Sequence, residues 1–472
     1  MRHLALIISA STPRATDGAV ENQARDLVVA IYMAALGVAL VVGPPLPIAL
    51  ALLVLAAALA ALSPVAATAV VAASTPFIFH PVLIGGAQFT LLELSLLAGG
   101  FGLAVRLAAA TLSHRLTALL RVLIGDWPTS AAAVFLITLG SLSLLTVADR
   151  RHLPESVRDL RVVIVEPIVA LVLARWSLRH GGARTLVIGL LGAGSVVALV
   201  ALVQVLTGRG EVIGNGVGRA TGPYPHPNNL ALYLERVGLF AAALVLVDRR
   251  WRRVVIPIAL LVAAGLAATL SRGAMLAVIA GGALLLGMTR PARGWRWLGL
   301  AAVLVVLLFA ATAGDRLFST GTSGTTSSRE LIWRASLQMV RDHPVFGVGL
   351  DQFLYQYAPR YVDPAGWPER YTSHPHNLIL DVWLRLGLAG LVLLAGVVYI
   401  CIRDIRRLRG AAERSDQRRL AVAGAALLVG GATHGLVDNA FFLPDLAVLT
   451  WIAVALIEPV PSGTPPLTGT AG

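Results

Sequence analysis

The chain has 472 residues, of which 57% are hydrophobic and only 13% charged. With a mean hydropathy of +0.78 it is too apolar for a soluble globular protein. Its 38 basic residues are all Arg, and the net charge of +13 sits mostly in short stretches between apolar runs, which speaks for membrane orientation and against nucleic-acid binding.

Residues 1–27 are mixed in charge, with one short apolar run from Leu4 to Ala10. They lack a basic, apolar, small-residue cleavage pattern and read as a cytoplasmic N-terminal segment, with the first span acting as the insertion signal. Apolar runs follow at 28–43, 46–62, 64–80, 88–108, 130–148, 159–177, 184–206, 228–248, 254–270, 273–289, 297–313, 379–401, 419–437 and 441–458. Runs of this kind cross about 30 Å of hydrocarbon as helices, so the sequence predicts an all-α polytopic membrane bundle of about 12–14 transmembrane helices with one large external loop. Residues 28–206 form the N-terminal helices and 207–458 the second, loop-bearing region. The tail, 459–472, is rich in Pro, Gly, Ser and Thr and is expected to be disordered. The one cysteine, Cys401, rules out an intrachain disulfide.

Arg in short connections marks the cytoplasmic side. Three clusters qualify: Arg249-Arg250-Trp251-Arg252-Arg253, Arg290 to Arg296, and Arg403 to Arg419. The external side then carries the 207–227 loop, the tight Ser271-Arg272-Gly273 turn, the 314–378 loop and the turn around His434 and Asp438. The 149–161 segment also falls outside despite its four Arg. That departure fits either an anion-binding loop or a different count of early helices.

The 314–378 loop is the one long polar stretch, and loops of this length between packed helices are usually functional. Within it, Ser327-x-x-Glu330 is a capping box. Leu331, Ala335 and Met339 then recur every four residues beside Trp333, Leu337 and Val340. An amphipathic helix results, ended by Pro344 and expected along the outer membrane surface. Phe346-Gly347-Val348-Gly349 reads as a flexible turn.

Several polar residues stand where chemistry could use them. Arg272 interrupts two apolar runs. An Arg at a membrane boundary can simply snorkel to water, but this turn is short, and Gly273 would let a phosphate approach the backbone. Arg219 lies in a stiff Gly- and Pro-rich loop ending in Tyr224-Pro225-His226-Pro227-Asn228-Asn229, where Asn228 or Asn229 is the expected N-cap. His374 and His376 flank Pro375, and an extended backbone would aim both to one side. Paired His can ligate a metal, but no neighbouring Cys, Asp or Glu has ligand spacing, so no metal is expected. A neutral His376 suits a general base, with Asn377 holding its tautomer or a sugar hydroxyl. Arg329, Arg334, His434 and Asp438 are further candidates on the same face.

Taken in order, these pieces resemble the O-antigen ligase and polymerase family of bacterial integral membrane glycosyltransferases. The matching stretches are Arg219 in its Gly-Pro loop, Ser271-Arg272-Gly273, Trp333 to Gly349, His376-Asn377 leading into Leu378 to Leu391, and His434-Gly435-Leu436-Val437-Asp438. The resemblance covers roughly residues 190–458. It implies a GT-C-type bundle in the bacterial plasma membrane, with the active site on the external or periplasmic face. It implies transfer of a glycan from an undecaprenyl-diphosphate carrier to an acceptor hydroxyl, with membrane lipids around it, no metal and no other cofactor. The catalytic candidates are then His376, Arg272 and Arg219, and the loop residues Asn377, Arg329, His374 and His226 are the substrate-binding candidates. Arg385 departs from the pattern, because the family usually has Glu before the Leu-Gly that here is Leu386-Gly387. The alternative function is a flippase or exporter of lipid-linked oligosaccharide. That reading would want charges near the bilayer midplane, whereas here they gather on one face.

Overall fold

A computed structural model describes residues 17–112, 124–209, 211–214, 217–289, 325–408 and 416–459. The expected span 297–313, the Arg290 to Arg296 cluster and most of the tail lie outside these residues, as does the side chain of Ser327.

The chain folds as an all-α polytopic membrane protein. Among the described residues, seven helices are long and apolar enough to cross a membrane: Glu21–Val41, Leu91–Ala109, Trp127–Thr146, Ala183–Thr207, Pro227–Val247, Arg272–Thr289 and Leu378–Leu408. Leu46–Leu62, Pro64–Phe77 and Pro444–Ile457 are shorter apolar helices. Glu166–Arg179, Arg252–Ala267 and Asp416–His434 pack in the same bundle. The described strands make only two short hairpins, Val82–Ile84 with Ala87–Phe89 and Glu211–Gly214 with Val217–Ala220.

Pro227–Val247 runs through the middle of the second region. It is apolar nearly all round, and most of its side chains are buried, as expected for a helix enclosed by others. Close approach is made possible by small residues: Gly281 and Gly430 leave the room that Leu239 fills. Pro444–Ile457 is buried along almost its whole length.

The Thr325–Asp342 helix appears where the periodicity puts it, but it starts two residues ahead of Ser327, which is therefore a helical residue and not the cap. It buries Ile332, Ala335, Ser336, Met339 and Val340 against Phe353, Tyr357 and Leu384, while Arg334, Leu337 and Gln338 face outward. The stretch after it is not the loose turn the glycines suggested. Leu378–Leu408 breaks at Gly387, which takes φ of 69°. The break frees backbone groups, and the 345–349 segment satisfies them. Val348 and Gly349 donate to the Leu384 carbonyl at 2.7 and 3.1 Å, and Leu388 donates to Val345 at 2.9 Å. A side chain at Gly387 would collide with Val345 and Phe346.

Arg385 sits beside this break, buried and 2.7 Å from both Asp381 and Asp159. Its guanidinium also lies over the Phe442 ring. The 149–161 segment packs on the 349–352 stretch, with Ser156 Oγ donating to Leu350 O at 2.6 Å and Gln352 Nε2 donating to Ser156 Oγ at 2.8 Å. That puts it at the same end of the bundle as His376. At the opposite end, Arg175 meets Glu458 at 2.6 Å, Arg403 meets Asp126 at 2.6 Å and Asp404 at 2.7 Å, and Arg419 meets Asp248 at 3.3 Å.

Candidate active site

The site is built on the turn that follows Asp416–His434. Gly435 O accepts from Leu378 N at 2.7 Å, and Leu436 O accepts from Asn377 Nδ2 at 3.0 Å. These bonds dock the His374–Leu378 arm. Asp438, only 3% exposed, then takes the centre. Its Oδ1 lies 2.7 Å from His376 Nδ1 and 3.6 Å from His374 Nε2. Its Oδ2 accepts from Arg329 Nη2 at 3.1 Å and from Asn228 Nδ2 at 3.3 Å. Burial alone would raise the Asp438 carboxyl, but the two imidazoles against it hold it well below the usual carboxylate range. It is therefore an anion at physiological pH.

Arg219 joins through Asn228, whose Oδ1 accepts from Arg219 Nη2 at 2.9 Å. Arg219 Nε donates to Thr269 O at 2.8 Å, and Ala220 N donates to Ala268 O at 3.0 Å. The 217–220 strand is thereby tied to the turn that ends in Arg272. Arg272 is exposed at the start of Arg272–Thr289, and Gly273 behind it abuts the His434 ring. Leu270 and His376, at φ of 49° and 50°, both occupy the left-handed region that non-glycine residues rarely enter. His376 is thus not extended as the neighbouring proline suggested. Even so, the His374 and His376 rings meet edge-on, with centroids 4.3 Å apart.

Three expectations change. The N-cap of Pro227–Val247 is His226, whose Nδ1 accepts from Asn228 N at 3.1 Å, not Asn228 or Asn229. Pro227 supplies the first helical residue, where its missing N–H costs nothing. Burial, then Arg219, lowers the His226 imidazole from its usual range, which suits a ring accepting at Nδ1. Asn377 caps Leu378–Leu408 by accepting from Ile379 N and Leu380 N at 3.0 and 3.1 Å. Its amide is engaged at both ends with backbone, so Asp438, not Asn377, orients the His376 ring. Arg334 is bound to Glu330 at 2.6 Å on the exposed side of its helix, away from this cluster.

The fold also supplies the acid that sequence spacing did not. Ligand atoms of His374, His376 and Asp438 lie within 4.8 Å of one another, a geometry with room for a cation. The donor set fits a divalent ion poorly, because Arg329 already places a guanidinium on the same carboxylate. Burial lowers the His374 imidazole from its usual range, so it stays neutral.

Below the turn opens an apolar cavity of about 480 Å³. Leu378 and Leu436 form its upper wall, beside the His376 arm. Val382, Leu393, Val397 and Ile405 line it down the Leu378–Leu408 helix. A polar mouth and a greasy shaft therefore meet at residues 376–378 and 435–438.

Comparison with known proteins gives two matches. Residues 257–395 match the family model described as O-antigen ligase. That segment includes Arg272, Arg329 and His376 but neither Arg219 nor Asp438. The chain is also 29% identical over 154 residues to an O-antigen ligase of Salmonella typhimurium (strain LT2), a match covering 28% of this chain and 34% of the relative. The alignment thus spans about a third of that relative's length.

Proposed function

We propose, from the premise that this chain belongs to the O-antigen ligase family through residues 257–395, that it transfers a glycan from a polyprenyl-diphosphate carrier to an acceptor hydroxyl in cell-surface polysaccharide assembly. The observation that carries this reading is the convergence on one buried anion, Asp438, of His376, Arg329 and, through Asn228, Arg219. Arg272 stands three residues beyond the Thr269 carbonyl that holds Arg219.

Each part has a task. The leaving group is a lipid diphosphate that gains negative charge as the sugar–phosphate bond breaks. Arg219 and Arg272 stabilise that charge, helped by the N-terminal end of Arg272–Thr289. Asp438 accepts a hydrogen bond from the Nδ1–H of His376, which leaves Nε2 to take the proton of the attacking hydroxyl. The hydroxyl oxygen bonds to the anomeric carbon, and the carbon–oxygen bond to phosphate breaks with its electron pair leaving on the diphosphate. The imidazolium that forms is stabilised by the Asp438 carboxylate, as in other base–carboxylate pairs. A single displacement inverts the anomeric centre. The apolar cavity beside the mouth fits the isoprenoid tail. The guanidinium groups take the place a divalent ion would otherwise fill.

The site would face the external side of the bacterial plasma membrane, the carrier would be undecaprenyl diphosphate, and the acceptor either a lipid-anchored glycan or a second carrier-linked unit. Purified chain in vesicles, given a polyprenyl-diphosphate-linked glycan and acceptor, should release free polyprenyl diphosphate and form an inverted linkage, with or without EDTA. Movement of intact donor across the bilayer with no new linkage would overturn the reading in favour of a flippase. Loss of transfer with EDTA would overturn metal independence.

A further inference from the structure

The mechanism above leaves the buried Glu235–His434 pair unused. Glu235, in the middle of Pro227–Val247, is 0% exposed, and His434, the last residue of Asp416–His434, is 1% exposed. Glu235 Oε2 lies 2.6 Å from His434 Nδ1. The other oxygen, Oε1, has no hydrogen bond and sits 3.6 Å from the Arg236 guanidinium. Arg236 in turn donates to Ala440 O at 2.7 Å. Burying such groups between helices is costly unless they are paired, so their arrangement is a constraint on the fold.

Resting on the functional reading just given, we propose that Glu235 and His434 are positioning residues that set the place of Arg272. The far edge of the His434 ring is the floor of the Ser271-Arg272-Gly273 turn. A Cβ on Gly273 would overlap Nε2 and Cδ2 of that ring, so only glycine lets the turn settle there. Glu235 holds the ring by its Nδ1 edge, leaving Nε2 toward Gly273. The same turn carries Leu270 in its left-handed conformation and Thr269, which anchors Arg219. His434 lies four residues before Asp438 on the same chain segment. One buried ring therefore ties the diphosphate-holding Arg to the element that holds the general base. Glu235 and His434 do not touch the substrate. They act by keeping Arg272 at the right distance from His376.

The test is a set of coupled variants in the vesicle transfer assay. Glu235→Gln keeps an acceptor for Nδ1 and should retain transfer within about threefold. Glu235→Leu and Gly273→Ala should each lower the turnover rate by roughly 10²-fold, the scale of a 1 Å misplacement. Neither should lower it further once Arg272 is Ala, because the loss acts through Arg272. The pH profile of residual transfer should keep its wild-type shape, since His376 is untouched. Should Glu235→Leu fail to accumulate in the membrane, Gly273→Ala reads the same link from the other side. A fully active Arg272→Ala overturns the functional reading and this inference together. An impaired Arg272→Ala whose loss adds independently to that of Glu235→Leu or Gly273→Ala overturns this inference alone, as does full transfer by Gly273→Ala.

Discussion

Both ends of the bundle collect Arg, and they use it in opposite ways. At the end carrying Arg403, a set of guanidinium groups is locked to carboxylates: Arg175 with Glu458, Arg419 with Asp248, and Arg403 with Asp126 and Asp404. At the other end a single carboxylate, Asp438, serves Arg329, His376 and the neighbouring His374, with Arg219 one amide away. Matched pairs make a clamp between helices. Several bases around one acid make a mouth that attracts a further anion. Within these two clusters the ratio of acid to base, not the number of Arg, separates the clamp from the mouth.

Substitutions can break that comparison. The largest effect is expected at the mouth, where His376→Ala removes the proton acceptor. Transfer should fall by about 10²–10⁴-fold while thermal unfolding in detergent changes little; a variant that unfolds instead would make the mouth structural. Next comes the clamp. Arg175→Leu leaves Glu458 buried without its cation and should cost about 3–5 kcal/mol of stability. Turnover per folded molecule should stay at the wild-type level, as measured by thermal unfolding alongside the transfer assay. Loss of turnover without loss of stability would erase the distinction between the ends.

Smaller changes sharpen it. His226→Ala removes the cap of Pro227–Val247 and should lower stability by about 0.5–2 kcal/mol, read as a drop in the thermal midpoint. The smallest effect is a pH slope. Burial depresses the His374 imidazole, so the unfolded chain takes up this proton at a higher pH than the folded one. Its contribution is therefore whole above about pH 6.5 and is lost as the pH falls below that value. His374→Asn should flatten the fall in thermal midpoint between about pH 7 and pH 5. An unchanged slope would count against a neutral His374 in the folded chain.

Most of the bundle was legible because apolar runs of helix length have one stable outcome in lipid. The runs at 46–62, 184–206 and 228–248 became helices within a residue or so of their expected ends. The amphipathic helix before Pro344 was legible from its periodicity, although it starts at Thr325, two residues ahead of the expected cap. What the sequence hid was pairing over long separations. Asp438 lies 62 residues from His376 and 210 from Asn228, and its signals were a place on the same expected face and in the family-like stretch His434 to Asp438. Asp159, the partner of Arg385, is 226 residues away from it, so the departure at Arg385 could be seen but not explained. The 345–349 segment looked flexible because its glycines are permissive. Its rigidity comes from the break at Gly387, which no local pattern announces. His376 looked extended because proline restricts the residue before it, whereas the left-handed conformation falls on the residue after it.

One measurement bears on the whole chemistry most directly. Wild type and His376→Ala are loaded in vesicles with a polyprenyl-diphosphate-linked glycan, acceptor is added, and free polyprenyl diphosphate is followed through a single turnover. The expected result is equal donor binding by both proteins, prompt release by wild type, and donor that stays bound and intact on the variant. Release by His376→Ala at the wild-type rate would contradict the assignment of this imidazole as the base at the Asp438 mouth.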